Sequence, residues 1–227
     1  MAIAVVQFTG ITTGSTTSVT ATNVNNVGSS SNSLVLVTQS FGINSLFVGT
    51  VTDTYGGTWT LVARGDVGVG TDEFQVWVCN NPQAGVKHAV TYTLEAADLY
   101  GSCAWLGEFS GGPLAIDPGD SSNIYAEIAS GSSGTIGPLT PTRADSLFLA
   151  SWSDNTGSSD WSITGSWNVI TNDVPNGLVS YIATDSSAQS ATWNISPSDS
   201  GSAFILALYS SAGSTGTAGL LLLLATL

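Results

Sequence analysis

Few residues of this chain could act as a nucleophile, a base or a metal ligand. The sequence has one histidine, two cysteines and 16 Asp and Glu residues over 227 positions. A serine hydrolase needs a hydroxyl, an imidazole and a carboxylate in one place, and His88 is the only imidazole available. His88 follows Lys87 at the start of the strand-like run HAVTYTL, and no G-x-S-x-G elbow occurs. We therefore expect His88 to be a solvated residue at a strand edge, and we predict no catalytic residues.

Metal and cofactor sites are also not indicated. One histidine and two separated cysteines cannot form a conventional zinc site. The loops DTYGGT, which begins at Asp53, and DNTGSSD, which begins at Asp154, offer oxygen ligands beside glycine, but neither fits the EF-hand pattern. An Asx-type turn explains both aspartates without an ion. We predict no cofactor and no metal, with calcium at these loops as the alternative.

Paired carboxylates are the remaining catalytic option, because a glycosidase uses two of them. Several acidic residues could form such pairs: Asp53, Glu73, Glu95, Glu108, Asp117, Asp120 and Glu127. Their abundance makes the pattern unspecific. Glu108 interrupts the apolar run AWLGEF. A similar run later in the chain, GSAFILALYS from Gly201, has Leu208 at the matching position. We expect Glu108 to face outward or lie at an edge; a buried partner and a catalytic role are the alternatives.

The two cysteines align with alanines later in the chain: QVWVCN matches VSYIAT, which sets Cys79 against Ala183, and GSCAWLGEFS matches GSAFILALYS, which sets Cys103 against Ala203. Small apolar residues at both matched positions indicate two buried thiols that behave as small hydrophobic side chains. A disulfide between neighbouring strands is the alternative, and it would imply maturation in an oxidising compartment.

The seven tryptophans could stack on sugar rings if they were exposed. Most of them lie within strand patterns, so we expect them to fill the core. Trp152 and Trp161 flank the second turn loop, which also contains Asp154 and Asn155. These four residues are the candidate glycan-binding residues.

The elements that must position all these residues are predicted to be β-strands. Runs of alternating and β-branched residues are separated by Gly, Asn, Pro and Ser clusters, and no segment keeps a helical period. The stretch SLFVGTVTDTYGGTW from Ser45 is echoed by SLFLASWSDNTGSSDW from Ser146, and GSCAWLGEFS from Gly101 by GSAFILALYS from Gly201. The offsets agree, since 146 − 45 = 101 and 201 − 101 = 100. We predict an all-β, two-sheet antiparallel β-sandwich of jelly-roll or concanavalin-like type with an internal pseudo-repeat.

The predicted organisation is one large sandwich over residues 1–211, with pseudo-repeats at 34–112 and 135–211. Two tandem smaller sandwiches are the alternative. Residues 212–227 are interpreted as a Gly/Ser/Thr linker and a leucine-rich tail that is too short to span a membrane. The tail leucines are expected to make contacts between subunits: Leu220, Leu221, Leu222, Leu223, Leu224 and Leu227.

Charge excludes further classes of partner. The formal net charge is −13, and the basic residues are Arg64, Lys87 and Arg143 alone. No basic patch can form, so we expect neither nucleic acid nor an anionic membrane as a partner. The opening MAIAVVQFTG has no basic residue and a very short apolar stretch, so we expect no signal peptide.

The order D-x-x-G…W, VWVCNNPQAGVKHAVTYTL and GEFSGG resembles β-sandwich modules of uncharacterised phage structural and bacterial surface proteins. The resemblance covers most of Leu34 to Gly112 and implies the sandwich fold without a catalytic motif. We expect a non-enzymatic structural protein: a virion component (phage capsid decoration, tail or fibre) or an extracellular filament subunit. Its partners would be itself or other structural subunits, in a virion or an extracellular assembly. A lectin-like module that binds glycans is the alternative.

Overall fold

The structure is a computed structural model that describes residues 2–9, 12–13, 18–22, 27–29, 31–43, 49–66, 71–85, 88–94, 102–117, 125–154, 160–173, 176–182 and 187–211. Sixteen strands make up most of them, and no α-helix occurs in this described part. The first nine strands are β1 (Ala4–Phe8), β2 (Thr12–Thr13), β3 (Ser18–Thr22), β4 (Ser33–Ile43), β5 (Thr50–Asp53), β6 (Trp59–Asp66), β7 (Thr71–Asn80), β8 (Ala89–Thr93) and β9 (Ser102–Ser110). The remaining seven are β10 (Leu114–Ile116), β11 (Tyr125–Leu139), β12 (Leu147–Asp154), β13 (Asp160–Thr164), β14 (Asn168–Asp173), β15 (Asn176–Ile182) and β16 (Gln189–Ser210).

The strands pair into three antiparallel sheets. One sheet has the order β1-β9-β4-β7-β6, with β2 also paired to β9, and we call it the first inner sheet. A second sheet has the order β3-β8-β5, and we call it the first outer sheet. The third sheet has the order β10-β16-β12-β15-β14, with β11 and β13 also paired to β16. The expectation of an all-β sandwich is confirmed. The sheets number three rather than two because β3, β8 and β5 pair only with one another.

The residue pattern explains which strands are inner. In β8, Val90 and Tyr92 are buried while Thr93 is exposed, as expected for a strand with one face in a core. In β4, by contrast, the run from Leu34 to Val37 is buried throughout. A continuous apolar run indicates that both faces of a strand are covered. The first inner sheet is therefore a layer between two others.

The third sheet turns back on itself and forms two layers. The first part of β16 pairs with β13, and its last part pairs with β12. A Cβ added at Gly134 of β11 would lie 2.6 Å from Cγ2 of Ile128 in the same strand. Six residues of a straight strand would separate these positions by about 20 Å, so β11 must bend sharply. We call β10, β12, β14, β15 and residues 201–210 the second inner layer, and β13 with residues 133–139 and 189–196 the second outer layer.

Three buried clusters fill the spaces between the four layers. The first core lies between the first outer and first inner sheets and includes Leu34, Leu36, Trp77, Val90 and Tyr92. The middle core lies between the two inner layers and includes Val35, Phe74, Trp105, Leu149 and Leu206. The second core lies inside the folded third sheet and includes Phe148, Trp152, Trp161, Trp193 and Ile205. The middle core joins both halves of the chain, for example through the Phe74 and Phe204 rings, whose centroids are 4.9 Å apart. Whether the chain counts as one large sandwich or as two tandem ones stays a prediction.

The outward faces of the two outer layers carry rows of neutral polar side chains in register. In the first outer sheet the rows are Ser18–Thr93–Thr50 and Thr20–Thr91–Thr52. In the second outer layer they are Thr135–Thr192–Thr164 and Ser133–Asn194–Ser162. The hydroxyl oxygens are 2.9 Å apart both between Thr20 and Thr91 and between Thr135 and Thr192. We call these rows the hydroxyl ladders.

Candidate functional site

The turn between β5 and β6 is organised around the buried side chain of Asp53. The amide of Tyr55 donates a hydrogen bond of 2.7 Å to Oδ1, and the amide of Gly57 donates at 3.1 Å to Oδ1 and 3.0 Å to Oδ2. The indole Nε1 of Trp59 donates at 2.7 Å to Oδ2. A Cβ at Gly57 would lie 2.5 Å from Oδ2, so the close approach requires glycine. This is the Asx-type turn expected from the sequence, with both carboxylate oxygens occupied by N–H donors.

These contacts keep Asp53 ionised. Burial raises the pKa of the carboxyl group, but the hydrogen bonds from Gly57, Trp59 and Tyr55 together with nearby His88 outweigh burial, so the pKa lies below its ordinary value. A buried carboxylate that accepts several N–H groups strengthens the turn only while it is charged. Asp53 therefore has a structural task that depends on pH.

His88 lies at the same end of the first core and is fully buried. Its Nε2 is 3.5 Å from Oδ1 of Asp53, and its ring centroid is 5.1 Å from that of Tyr55. Neither ring nitrogen has a hydrogen-bond partner among the described residues. The expectation of a solvated histidine at a strand edge is wrong, because the Asp53 turn folds over the imidazole.

Cys79 completes this group, since Gly57 packs against both Asp53 and the thiol. Burial raises the pKa of Cys79 to about 11, and the negative charge of Asp53 adds to the effect. A thiolate, not a thiol, is the nucleophile in cysteine chemistry. The group thus contains a cysteine, a histidine and an aspartate, but its thiol is protonated at neutral pH and only 1% exposed.

The two cysteines are not joined by a disulfide, and both are buried. Cys79 of β7 lies opposite Leu34, and Cys103 of β9 lies opposite Gln39, on the other side of β4. Five residues of strand separate Leu34 from Gln39, or about 17 Å, whereas a disulfide needs Cα atoms within about 7 Å. The structure therefore agrees with the expectation of two buried thiols and not with the alternative of a disulfide.

Glu108 is fully buried in the first inner sheet rather than at an outward or edge position. Its carboxylate accepts hydrogen bonds from Gln7 Nε2, from the amide of Gly28 at 2.9 Å and from Asn32 Nδ2 at 2.6 Å. The outward expectation is wrong because β1 and the segment before β4 supply donors for a carboxylate that the strand pattern directs inward. Glu108 therefore links its own strand, β9, to β1 and to the segment before β4.

A second polar group occupies the opposite end of the first core from Asp53. Glu73 is 3% exposed and accepts hydrogen bonds from Arg64 Nε at 2.5 Å and Gln75 Nε2 at 2.8 Å. Trp77 Nε1 donates at 3.1 Å to Oε1 of Gln75, which extends the network into the core. Burial raises the pKa of Tyr92 to about 12, and the charge of Glu73 contributes.

Asp117 is a fourth buried carboxylate with donors from its own chain. It accepts hydrogen bonds from the amide of Thr142 at 2.9 and 3.0 Å and from the Thr142 hydroxyl at 2.9 Å. The Asp117 amide donates at 2.8 Å to the carbonyl of Ala207. Asp117 thus anchors the segment before β12 to β16.

The candidate glycan-binding residues do not form a surface. Trp152 is fully buried and Trp161 is 5% exposed, and both belong to the second core. Neither indole offers a face to a sugar ring, because the outer layer of the folded sheet covers them. The side chain of Asp154, the whole of Asn155 and the tail leucines from Leu220 to Leu227 lie outside the described residues.

The structure reveals one further group that the sequence pattern did not single out. Val6 is 48% exposed, Phe8 41% and Val169 47%, and they are the exposed large hydrophobic residues of the described chain. Val6 and Phe8 lie on β1 and Val169 on β14, each at the end of a strand order. The apolar run AVVQF predicts a strand, but only the pairing shows that it lies at an edge.

The described part of the chain contains no group of three His, Cys, Asp or Glu side chains that could hold a metal ion. It also has no helix long and apolar enough to cross a membrane. The fold and these contacts define a layered, all-β sandwich whose buried carboxylates bind its own segments. The chain matches no family model, and the comparisons with curated proteins and with solved structures found no match.

Proposed function

We propose that this chain is a non-enzymatic structural protein that assembles with copies of itself or with other structural subunits. The observation that carries the proposal is the use of its buried carboxylates. Asp53, Glu73, Glu108 and Asp117 each accept hydrogen bonds from side chains or amides of the same chain. Catalytic carboxylates are arranged toward a substrate, whereas these four connect loops and strands inside the protein.

In this proposal the assembly is either a virion, in which the protein is a capsid decoration, tail or fibre component, or an extracellular filament, in which it is a subunit. Support comes from the resemblance of Leu34 to Gly112 to phage structural and bacterial surface modules. In this proposal the leucines of residues 212–227 make contacts between subunits. The tail follows Ser211, whose amide donates at 2.7 Å to the carbonyl of Pro113.

The test compares the full chain with a variant that lacks residues 212–227. We expect the truncated chain to keep its circular dichroism spectrum and melting temperature but to lose its oligomers in sedimentation velocity. A second variant with the tail leucines from Leu220 to Leu227 changed to serine controls for tail length and should behave in the same way. Oligomers of unchanged size in both variants would refute a role of the tail in assembly.

A further inference from the structure

The strand β6 ends the order of the first inner sheet, and no described strand pairs with its outer edge. An edge strand presents free backbone N–H and C=O groups. The apolar side chains of β6 are only partly buried, and they lie on both faces of the sheet. Leu61 packs against the first core, whereas Val62 and Ala63 pack against the middle core. The edge of β6 therefore offers hydrogen bonds along its length and an incomplete core on each face.

A gap in the middle core lies beside this edge. Between the two inner layers is a pocket with an empty volume of about 180 Å³, part of which is open to solvent. Ala63 and Gly65 of β6 line one side of it, and Phe74, Tyr125 and Phe204 are among the residues that line the rest. These residues offer aliphatic and aromatic groups at the margin of a buried cluster. The pocket is therefore suited to an apolar side chain.

The position of β6 specifies which kind of strand could be added to it. A strand with one face in water alternates apolar and polar residues, whereas a strand covered on both faces is apolar at successive positions. Because the first inner sheet lies between two other layers, a strand added beside β6 would need the second pattern. The run from Leu220 to Leu224, which we call the leucine run, has five apolar residues in succession. It would span about 17 Å as a strand, less than the eight residues of β6.

The tail, residues 212–227, leaves the fold close to this edge. The amide of Ser211 donates at 2.7 Å to the carbonyl of Pro113, which places the start of the tail beside β10. β10 in turn contacts both β6 and β7. The eight residues from 212 to 219 can extend over at most about 28 Å before the leucine run begins. The leucine run can therefore reach the β6 edge of a copy that lies against this side of the molecule.

We propose that the leucine run of one copy binds as an added strand at the β6 edge of a second copy, with a leucine side chain in the pocket. The inference rests on the proposed assembly function and names the surface to which the tail binds. In this mode of recognition, backbone hydrogen bonds provide affinity and side-chain pockets fix the register. Two copies related by a two-fold axis at their β6 sides would each give one leucine run and receive one.

Charge is compatible with this contact. The formal net charge of −13 opposes association between copies in general. The tail contains no charged residue, so its burial at β6 brings no like charges together. Within β6, Arg64 and Asp66 have opposite signs, and Arg64 is paired with Glu73. The tail is thus suited to cross between two acidic copies.

The first experiment measures the dissociation constant of the full chain's oligomers by sedimentation velocity over a range of concentrations. Val62→Lys places a charge beside the added strand, and we expect it to raise the constant at least tenfold. Val169→Lys adds the same charge on β14, at the end of the second inner layer that lies away from β6, and should change the constant less than twofold. Equal constants for the two variants would overturn the inference.

A covalent test does not depend on the stability of Val62→Lys. Full chains carrying Val62→Cys are mixed with full chains carrying Leu221→Cys or Leu222→Cys, two neighbouring positions that face opposite sides of a strand. Mild oxidation should join the two kinds of chain by a disulfide, which mass spectrometry of the peptides identifies. Val169→Cys in place of Val62→Cys should give no such product.

The outcomes separate this inference from the assembly function on which it rests. A disulfide that forms only within one chain, in the double variant Val62→Cys and Leu222→Cys, would show that the tail binds its own copy and would refute binding between copies. If removal of residues 212–227 abolishes the oligomers while Val62→Lys behaves as Val169→Lys does, the docking inference fails and the assembly function stands. If the full chain is monomeric at every concentration, assembly with copies of itself fails as well.

Discussion

The first and second cores are enclosed by similar strands but stabilised by different chemistry. The first core has ionisable residues at both ends, with Asp53, His88 and Cys79 at one and Glu73 with Tyr92 at the other. The second core is apolar and contains three buried tryptophans, Trp152, Trp161 and Trp193. Matching β9, β4, β7 and β6 with β16, β12, β15 and β14 gives the same order in both inner layers. Strand order alone therefore does not determine what holds a sandwich together, and only the first core should respond strongly to pH.

The largest effect is expected in the second core. Trp193→Ala removes a fully buried indole that packs 6.0 Å from Trp152, centroid to centroid. Such a cavity costs about 4 kcal/mol of unfolding free energy. Urea denaturation should give this loss equally at pH 5 and pH 8. Trp167→Ala, at a half-buried site on the same core, is the control and should cost less. A loss that differs between the two pH values would show that the second core, like the first, depends on ionisable groups.

The next largest effect is expected for Asp53→Asn in the first core. The amide cannot accept all the N–H donors of the turn, so we expect a loss of about 3 kcal/mol at pH 7. Because the folded-state pKa of Asp53 is lowered, its stabilisation is present above the unfolded pKa of about 3.9 and is lost as pH falls through the folded value. The difference in unfolding free energy between Asp53→Asn and the parent, measured by urea denaturation, should therefore narrow below pH 4. Asp160→Asn at an exposed strand position should change little, and an equal loss there would show that the turn contacts are not the cause.

The smallest effect concerns alkaline pH. The pKa of Cys79 is raised to about 11 and that of Tyr92 to about 12. The stability that each group contributes is therefore fully present below the pKa of the group in the unfolded chain, and it is lost as pH rises through the pKa in the folded protein. For Cys79 this amounts to about 2 to 3 kcal/mol between pH 9 and 11. In thermal melts of the parent and of Cys79→Ala, the melting temperature should fall less between pH 8 and pH 11 for the variant than for the parent. An identical decrease would mean that the buried thiol does not titrate as described.

Sequence patterns predicted the strands well because alternation and turn residues are local properties. They failed where a residue's environment depends on distant strands. The echo between Ser45 and Ser146 paired Asp53 with Asp154, yet Asp53 ends β5 of the first outer sheet while Asp154 ends β12 of the second inner layer. By position in the sheet order, β12 matches β4 instead. A strand pattern does not specify the neighbouring strand, so the pseudo-repeat stays a prediction.

The candidate site was less predictable than the fold for the same reason. The sequence indicated that Glu108 lies in an apolar strand, but not that Gln7, Gly28 and Asn32 would supply donors from far along the chain. His88 was likewise placed at a strand start, whereas the Asp53 turn that covers it belongs to another strand. The asparagine-glycine-rich turns were recognisable, but their three-dimensional neighbours were not.

The hydroxyl ladders have a consequence for how this protein meets its surroundings. A surface of neutral hydroxyl groups exchanges hydrogen bonds with water as readily as with another molecule, so contact there brings little net gain. It also offers no apolar area whose removal from water would favour adhesion. The two broad faces, which carry Thr20, Thr91, Thr135 and Thr192, therefore act as permanently wetted, non-adhesive surfaces. On these two faces, therefore, hydration adds to the electrostatic repulsion that a formal net charge of −13 produces between copies.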